Sequence, residues 1–313
     1  MRLFLPEAST SSVQIDWLLA ALVAVSLAVL ALVFGLMLIF IIRYRHNSPI
    51  ERGGVITRTF RFEITWTTAT LVVFFGLFIW GAQIYVHVFR PPPGALKIYV
   101  DAKQWMWKVE YPGGQREIDS LHVPVNRAVE LIMTSEDVIH DFFVPAFRVK
   151  RDVLPDQYET LWFRPDRIGT YHLFCSQLCG AGHAAMIGTV VVMSEPDYTR
   201  WLAGNGTSQT IAQEGHDLFI RYGCSGCHEG HGTVRAPSLA GVFGSPVPLS
   251  DGTTVMADAN YVRDSILQPG KQIVASYAPV MPTFAGVISE ADLVKLIAYI
   301  ESLGAEKSTK AAP

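Results

Sequence analysis

Charge is scarce in this chain of 313 residues: 17% are Asp, Glu, Lys or Arg, while 50% are hydrophobic. That balance excludes a disordered chain, a basic nucleic-acid binder and an ordinary cytosolic enzyme. Cysteine is scarce as well. The four stand as Cys175 and Cys179 in CSQLC and Cys224 and Cys227 in CSGCH. Two such close pairs argue against a disulfide framework, and each reads as a cofactor site. The first sixteen residues lack a cationic stretch followed by a short apolar core, so no separate signal peptide is expected here.

What the chain has in abundance is uncharged length. Residues 17–42 carry no charge over 26 positions, which as a helix of about 39 Å crosses a hydrocarbon core of about 30 Å with tilt. Residues 64–89 form a second such run, with Trp66, Trp80 and Tyr85 where interfacial aromatics sit. Between them lie Arg43, Arg45, Arg52, Arg58 and Arg61 against Glu51 and Glu63, whereas the N-terminal tail has only Arg2 with Glu7 and Asp16. The loop 43–63 is therefore expected on the cytoplasmic side, with both termini outside. The net charge of −3 hides this division: residues 1–90 hold 7 bases and 4 acids, residues 91–202 hold 11 and 14, and residues 203–313 hold 7 and 10. The expected organisation is a transmembrane hairpin over 1–90, a middle domain over 91–202, a linker over 203–211 and a C-terminal domain over 212–313.

After Pro91, Pro92, Pro93 and Gly94 the composition changes to short β-branched and aromatic stretches such as LKIYVDA, YETLWF and GTVVVM, separated by PGG and PDRIG. These read as strands and turns of an antiparallel β-sandwich or barrel. Near its end Cys175, Cys179, His183 and Met186 fall within twelve residues on a glycine-containing loop. Soft sulfur with imidazole suits copper, and Met is an unusual zinc ligand. One cysteine is in excess for a single-copper electron-transfer site. A second His joining from a neighbouring strand makes a set that suits two copper ions sharing sulfurs. His140 in SEDVIHDFF is the candidate, with His122 and His172 open on spacing alone.

With these residues in place, the chain to about residue 195 resembles subunit II of the haem-copper cytochrome c oxidases, whose outer cupredoxin-like β-barrel carries the binuclear CuA centre. The resemblance implies His140, Cys175, Cys179, His183 and Met186 as copper ligands, with the main-chain carbonyl of Gln177 completing the site. Family members commonly have Glu at that position, where its side chain helps bind magnesium at the contact with subunit I. Gln177 keeps the backbone ligand and leaves the magnesium site open. Gln104-Trp105-Met106-Trp107 is similar to the family's aromatic patch, making Trp105 the residue that takes up electrons beside the copper. Alternation also puts Trp105, Trp107, Val109 and Tyr111 on one face, so core packing is the competing explanation. Glu63 resembles the family's carboxylate near a proton-uptake pathway. A carboxylate at a helix N-terminus is also favoured on local electrostatic grounds.

Residues 203–211 are small and polar, and Asn205-Gly206-Thr207 reads as a turn. Behind them Cys224, Cys227 and His228 spell CxxCH, the motif for thioether attachment of haem c with the His as axial ligand. Flanking stretches such as SEADLVKLIAYIESLG have helical periodicity, so a small all-α domain is expected. Residues 212–304 resemble class I cytochrome c domains, and that likeness places the sixth ligand at Met281, between Pro279 and Pro282. Met256 is the rival, and His216 and His231 read as surface residues.

A multidomain membrane protein in which a cytochrome c domain is fused behind a CuA-bearing subunit II resembles the caa3-type oxidases. The implied task is to receive electrons at haem c from an external cytochrome or other reductant. They pass to CuA and then to haem a, haem a3 and CuB of subunit I, where oxygen is reduced and protons are translocated. Subunit III and membrane lipid are further implied partners, nucleic acid is not, and the implied location is the bacterial inner membrane with both redox domains periplasmic. The hairpin is too small to build an oxygen-reducing centre, so no residue of this chain is catalytic by itself. Rival expectations are a CuA subunit of a nitric oxide reductase, a membrane-anchored electron carrier without subunit I, and a copper-delivery protein, which would need neither His183 and Met186 nor a fused haem.

Overall fold

The computed structural model describes residues 6–50, 59–205, 209–229 and 236–310, with side chains to residue 304. Arg2, Glu51, Arg52, Arg58 and His231 lie outside the described residues.

Helix α1 spans Thr10–Arg43 and α2 spans Phe60–Phe89. Both are long and apolar enough to cross a membrane, and they pack side by side with most of their large apolar side chains facing outward. A row of exposed Leu, Val and Phe is unstable in water and stable in lipid, where the helix satisfies its own backbone. At 1.5 Å per residue α1 is about 51 Å long, well beyond the ~30 Å core. Its surplus is the N-terminal end, which starts seven residues before the uncharged run. Ser9 caps the helix by accepting from Ser12 N–H. Ser11, Ser12 and Asp16 are buried because this end is built into the β domain. Ser9 Oγ donates to the Phe147 carbonyl, and Arg148 grips the Asp16 carboxylate through two bonds of 2.8 Å. At the other end of the hairpin, Trp162 donates its indole N–H to the carbonyl of His87 in the last turn of α2. The start of α1 and the end of α2 are thus both fixed to the β domain.

That domain comprises β1 (Leu96–Lys103), β2 (Met106–Glu110), β3 (Arg116–Ile118), β4 (Ser120–Pro124), β5 (Val129–Ser135), β6 (His140–Val144), β7 (Val149–Val153), β8 (Glu159–Phe163), β9 (Gly169–Cys175) and β10 (Ile187–Met193). Two five-stranded sheets, ordered β3-β2-β1-β5-β8 and β4-β10-β9-β6-β7, pack face to face. Most pairs are antiparallel, as the short turns dictate, while β1–β5 and β4–β10 are parallel. Period-2 alternation sends Ile98, Val100, Trp107, Val109, Leu131 and Phe142 into one core. A further helix, α3 (Glu195–Gly204), is started by Ser194, whose side chain accepts from Asp197 N–H. It takes in Ala203 and Gly204 and ends at Asn205.

The C-terminal domain contains α4 (Ile211–Arg221), α5 (Ser225–His228), α6 (Ala259–Leu267), α7 (Glu290–Lys310) and a small hairpin of β11 (Pro246–Pro248) and β12 (Thr254–Met256). Helix α4 opens with a capping box in which Thr210 and Gln213 satisfy each other's backbone N–H. It crosses α7 so closely at Gly215 that a Cβ there would lie 2.0 Å from the Lys295 carbonyl oxygen. This domain sits on the outer face of the first sheet. Tyr99, Ile132 and Tyr158 pack with Ile211, Leu218 and Ile297, and polar contacts surround them. Asn260 exchanges two hydrogen bonds with the Tyr158 backbone. Arg263 ties Asp156 to Glu290, Arg116 reaches Glu214, and Lys97 pairs with Glu301.

Candidate metal and haem centres

The sulfur-rich loop joins two adjacent strands of one sheet. Cys175 is the last residue of β9, and Met186 immediately precedes β10. These strands pair Phe174 with Ile187, so the intervening segment must fold back over the sandwich end. Cys179, Gly180 and Gly182 make that return. Gly180 has a φ of +112°, and a Cβ on Gly182 would meet Trp105 Cδ2 at 2.4 Å, so the loop needs glycine at both places. His140, the first residue of β6, arrives from the strand next to β9.

The donors converge. The two Sγ atoms of Cys175 and Cys179 are 3.7 Å apart. Cys175 Sγ is 3.9 Å from His140 Nδ1 and 3.2 Å from the Gln177 carbonyl oxygen, and Cys179 Sγ is 3.5 Å from His183 Nδ1 and 3.9 Å from Met186 Sδ. Both thiols are free, since a disulfide needs about 2.05 Å. A metal bridging both sulfurs at a thiolate bond length of about 2.3 Å requires them to be less than about 4.6 Å apart, and 3.7 Å meets that condition. Two thiols, two imidazoles, a thioether and a carbonyl therefore fit a pair of soft metal ions.

Electrostatics prepare the site. Burial raises the Cys175 thiol, but contacts from His140, the Asp141 and Gln177 backbone and Cys179 outweigh it and bring the group down to about 6. Burial and the neighbouring Cys175 sulfur push Cys179 up to about 11. Together the pair readily holds one negative charge without metal, and a cation is needed to favour the second. His140 is fully buried, and its Nε2 lies 2.9 Å from Asp137 Oδ1. That bond turns Nδ1 toward the sulfur, and burial's tendency to lower the imidazole is overcome by Cys175 and Asp137, so it is raised.

Asp137 is a supporting residue that the sequence reading missed, although its place three positions before His140 was a usable signal. Gln104 and Trp105 both donate to the Cys179 carbonyl, at 2.8 and 3.2 Å. Trp105 is 38% exposed, whereas Trp107, Val109 and Tyr111 are buried in the core. Trp105 therefore leaves the core stripe and lies over the loop. His122 is drawn elsewhere, 2.8 Å from Glu117 and stacked on Trp201, and His172 stacks on Phe174. Glu63 is an exposed residue in the first turn of α2, far along the chain from either centre.

In the helical domain an apolar cavity of about 570 Å³ is lined by Phe219, Cys224, Cys227, His228, Met281 and Leu296 among others. Its size and lining suit a flat apolar macrocycle. His228 Nδ1 lies 2.9 Å from the Pro237 carbonyl, which leaves Nε2 for a metal. Burial raises the Cys224 thiol, as expected for a side chain in an apolar wall. Met281 lines the cavity, while Met256 is exposed at the end of β12. His216 packs on Tyr299 outside the cavity lining.

Comparison with known proteins gives a separate match for each of these two regions. Residues 115–194 match the family described as cytochrome c oxidase subunit II, periplasmic domain, and residues 212–304 match cytochrome c. The chain thus carries a periplasmic domain of the cytochrome c oxidase subunit II family with a cytochrome c domain behind it. Cytochrome c oxidase subunit 2 of Alkalihalophilus pseudofirmus is 28% identical over 312 residues, covering 93% of this chain and 88% of that protein. The namesake from Cereibacter sphaeroides is 29% identical over 238 residues, covering 64% and 78%. Among solved structures, the periplasmic domain of subunit II of cytochrome oxidase from Bradyrhizobium japonicum is 30% identical. It covers 37% of this chain and 96% of that one, with a TM-score of 0.36.

Proposed function

We propose that the chain is subunit II of a caa3-type cytochrome c oxidase, the part through which electrons come in. The observation that carries this reading is the gathering of six donor groups at successive spacings of 3.2–3.9 Å, in a chain whose docked C-terminal domain has a CxxCH lining an apolar cavity. Bound there, a covalent haem and a copper pair would hand single electrons from haem c to CuA and on to the haems of subunit I, where oxygen is reduced with proton translocation.

The chain's own residues supply position and environment. Asp137 holds His140 in one tautomer, and burial of Cys175, Cys179 and Met186 keeps water from the sulfurs. The Pro237 carbonyl fixes His228, and Pro279 and Pro282 limit the motion of Met281. Trp105, half-exposed and bonded to the Cys179 carbonyl, offers an aromatic contact between solvent and the site. Docking of the cytochrome domain on the first sheet replaces diffusion of a soluble donor with a fixed neighbour. The same reading makes the protein a two-span subunit of a bacterial inner membrane, both ends outside. Packing of Ser9 and Asp16 against the β domain supports that orientation.

The test is the oxidation of reduced haem c after rapid mixing of the loaded complex with oxygen. A rate unchanged by tenfold dilution, and abolished by Cys175→Ser, is expected; a rate proportional to concentration contradicts intramolecular transfer. Consumption of nitric oxide in place of oxygen would reassign the complex.

A further inference from the structure

The face of the first sheet on which the cytochrome domain sits contains an acid that the metal sites do not use. Asp101 follows Tyr99 on the same face of β1, opposite Thr134 on β5 and Lys108 on β2. Asp101, Thr134 and Tyr158 are 9%, 1% and 5% exposed. Both Asp101 carboxylate oxygens, the Thr134 hydroxyl and the Tyr158 hydroxyl find no hydrogen-bond partner among the described residues. An ionised carboxylate left in such a place is strongly disfavoured.

The groups around Asp101 decide its state. From the end of β5 comes Glu136, whose carboxylate is held by Lys103 at 2.7 Å and by Lys108. From the cytochrome domain comes Glu290, the first residue of α7, itself clamped by Arg263 of α6. Tyr99 and Tyr158 are neutral neighbours, burial raising both hydroxyls. A metal cation is disfavoured because two ammonium groups already occupy Glu136. Two facing carboxylates attract only when one carries a proton, and burial places it on Asp101. Burial and then Glu136 push Asp101 up to about 8. Burial of Glu136 works upward too, but Asp101, Lys103 and Lys108 together bring it down to about 2.

We propose that Asp101 and Glu136 form a proton-dependent latch under the cytochrome domain: the domain stays seated on the sheet while Asp101 holds a proton and is loosened when that proton leaves. The proposal rests on the contact between the domains and is independent of the redox reading. Its sign follows from linkage. Seated, Asp101 is raised; with the domain lifted and water admitted, it returns toward the ordinary carboxylate range. Seating is therefore fully favoured below that ordinary value. It weakens by roughly tenfold per unit as pH climbs toward 8, and is flat above. A pH rise on the outer side of the membrane would release the haem-bearing domain from its fixed place on the first sheet.

The test uses the full chain loaded with copper and haem, carrying spin labels at exposed Ile118 and Thr254, with the interdomain distance followed from about pH 6 to pH 9. A narrow distribution is expected at the acid end, with a second, longer population growing as pH nears 8. Asp101→Asn, which keeps a donor for Glu136 and cannot ionise, should stay narrow throughout. Circular dichroism and metal content at pH 6 establish that the variant is folded. A wild-type distribution that does not change with pH overturns the latch, and so does an Asn variant that broadens as the wild type does. Should haem or copper prove absent, the same titration still reads the latch, so the two proposals fail separately.

Discussion

Replacing Gly215 by Ala sets two effects of opposite sign against each other at the crossing of α4 and α7. Helix propensity alone favours Ala by about 1 kcal/mol in a helix interior. Packing opposes it: the new Cβ would stand 2.0 Å from the Lys295 carbonyl oxygen, 2.6 Å from the attached carbon and 2.9 Å from Tyr299 Cβ. The first obstacle is backbone, so no side-chain rotation relieves it, and the helices must part by more than 1 Å to reach ordinary contact. Overpacking of this kind costs about 3 kcal/mol, which leaves a net loss of about 2 kcal/mol. For a domain near 100 residues each kcal/mol moves Tm by about 4–8 °C, so the cytochrome domain's own transition should fall by about 8–16 °C. The assay is thermal unfolding of the haem-loaded chain followed at the Soret band, which reports this domain separately from the β sandwich. Parting these helices also shifts Phe219, Leu296 and Ile300, which line the haem cavity, so the band should broaden before it melts. An unchanged or raised Tm would refute the close crossing as the reason for glycine.

Asp137→Ala removes the bond that orients His140 and should weaken copper retention about 10–100-fold, measured by competition with a chelator, while the β domain keeps its fold. Met281→Leu should abolish the sulfur-to-iron band of the haem c spectrum and lower the reduction potential. Met256→Leu should change neither, because Met256 lies on the surface of the small hairpin.

Much of this architecture was legible in the chain itself, for identifiable physical reasons. Uncharged runs long enough to cross a bilayer admit few other uses, and α1 and α2 form there. CxxCH and the Cys-rich loop declare their chemistry because ligands close in space are also close in sequence. His140 is the candidate because it follows a strand-like run and precedes the Pro145 turn, and the resemblance implies the same residue, while spacing alone leaves His122 and His172 open. The structure brings His140 to Cys175 and gives His122 to Glu117. Long-range terms were not legible. The bond between Asp16 and Arg148 spans 132 positions, and nothing local marks the first turns of α1 as part of the β domain. The parallel pairings β1–β5 and β4–β10 come from the order in which strands return to each sheet, which short turns do not encode. Tyr99 and Asp101 lie on the face of β1 away from the sandwich core, and nothing in the strand itself marks that a second domain covers that side. Trp105 shared the alternation of Trp107 and Tyr111, yet sits at the turn after β1, where the pleat ends and its ring is free to cover Gly182.

The central claim is that the loop from Cys175 to Met186, with His140, holds a sulfur-bridged pair of copper ions in the same chain as a covalent haem. Metal and haem analysis of natively purified full-length chain, with its electron paramagnetic resonance spectrum, tests this most directly. Two coppers and one covalent haem per chain are predicted, with a mixed-valence copper signal that Cys175→Ser removes while the haem remains. Zinc, a disulfide between Cys175 and Cys179, or a loop without metal would contradict it.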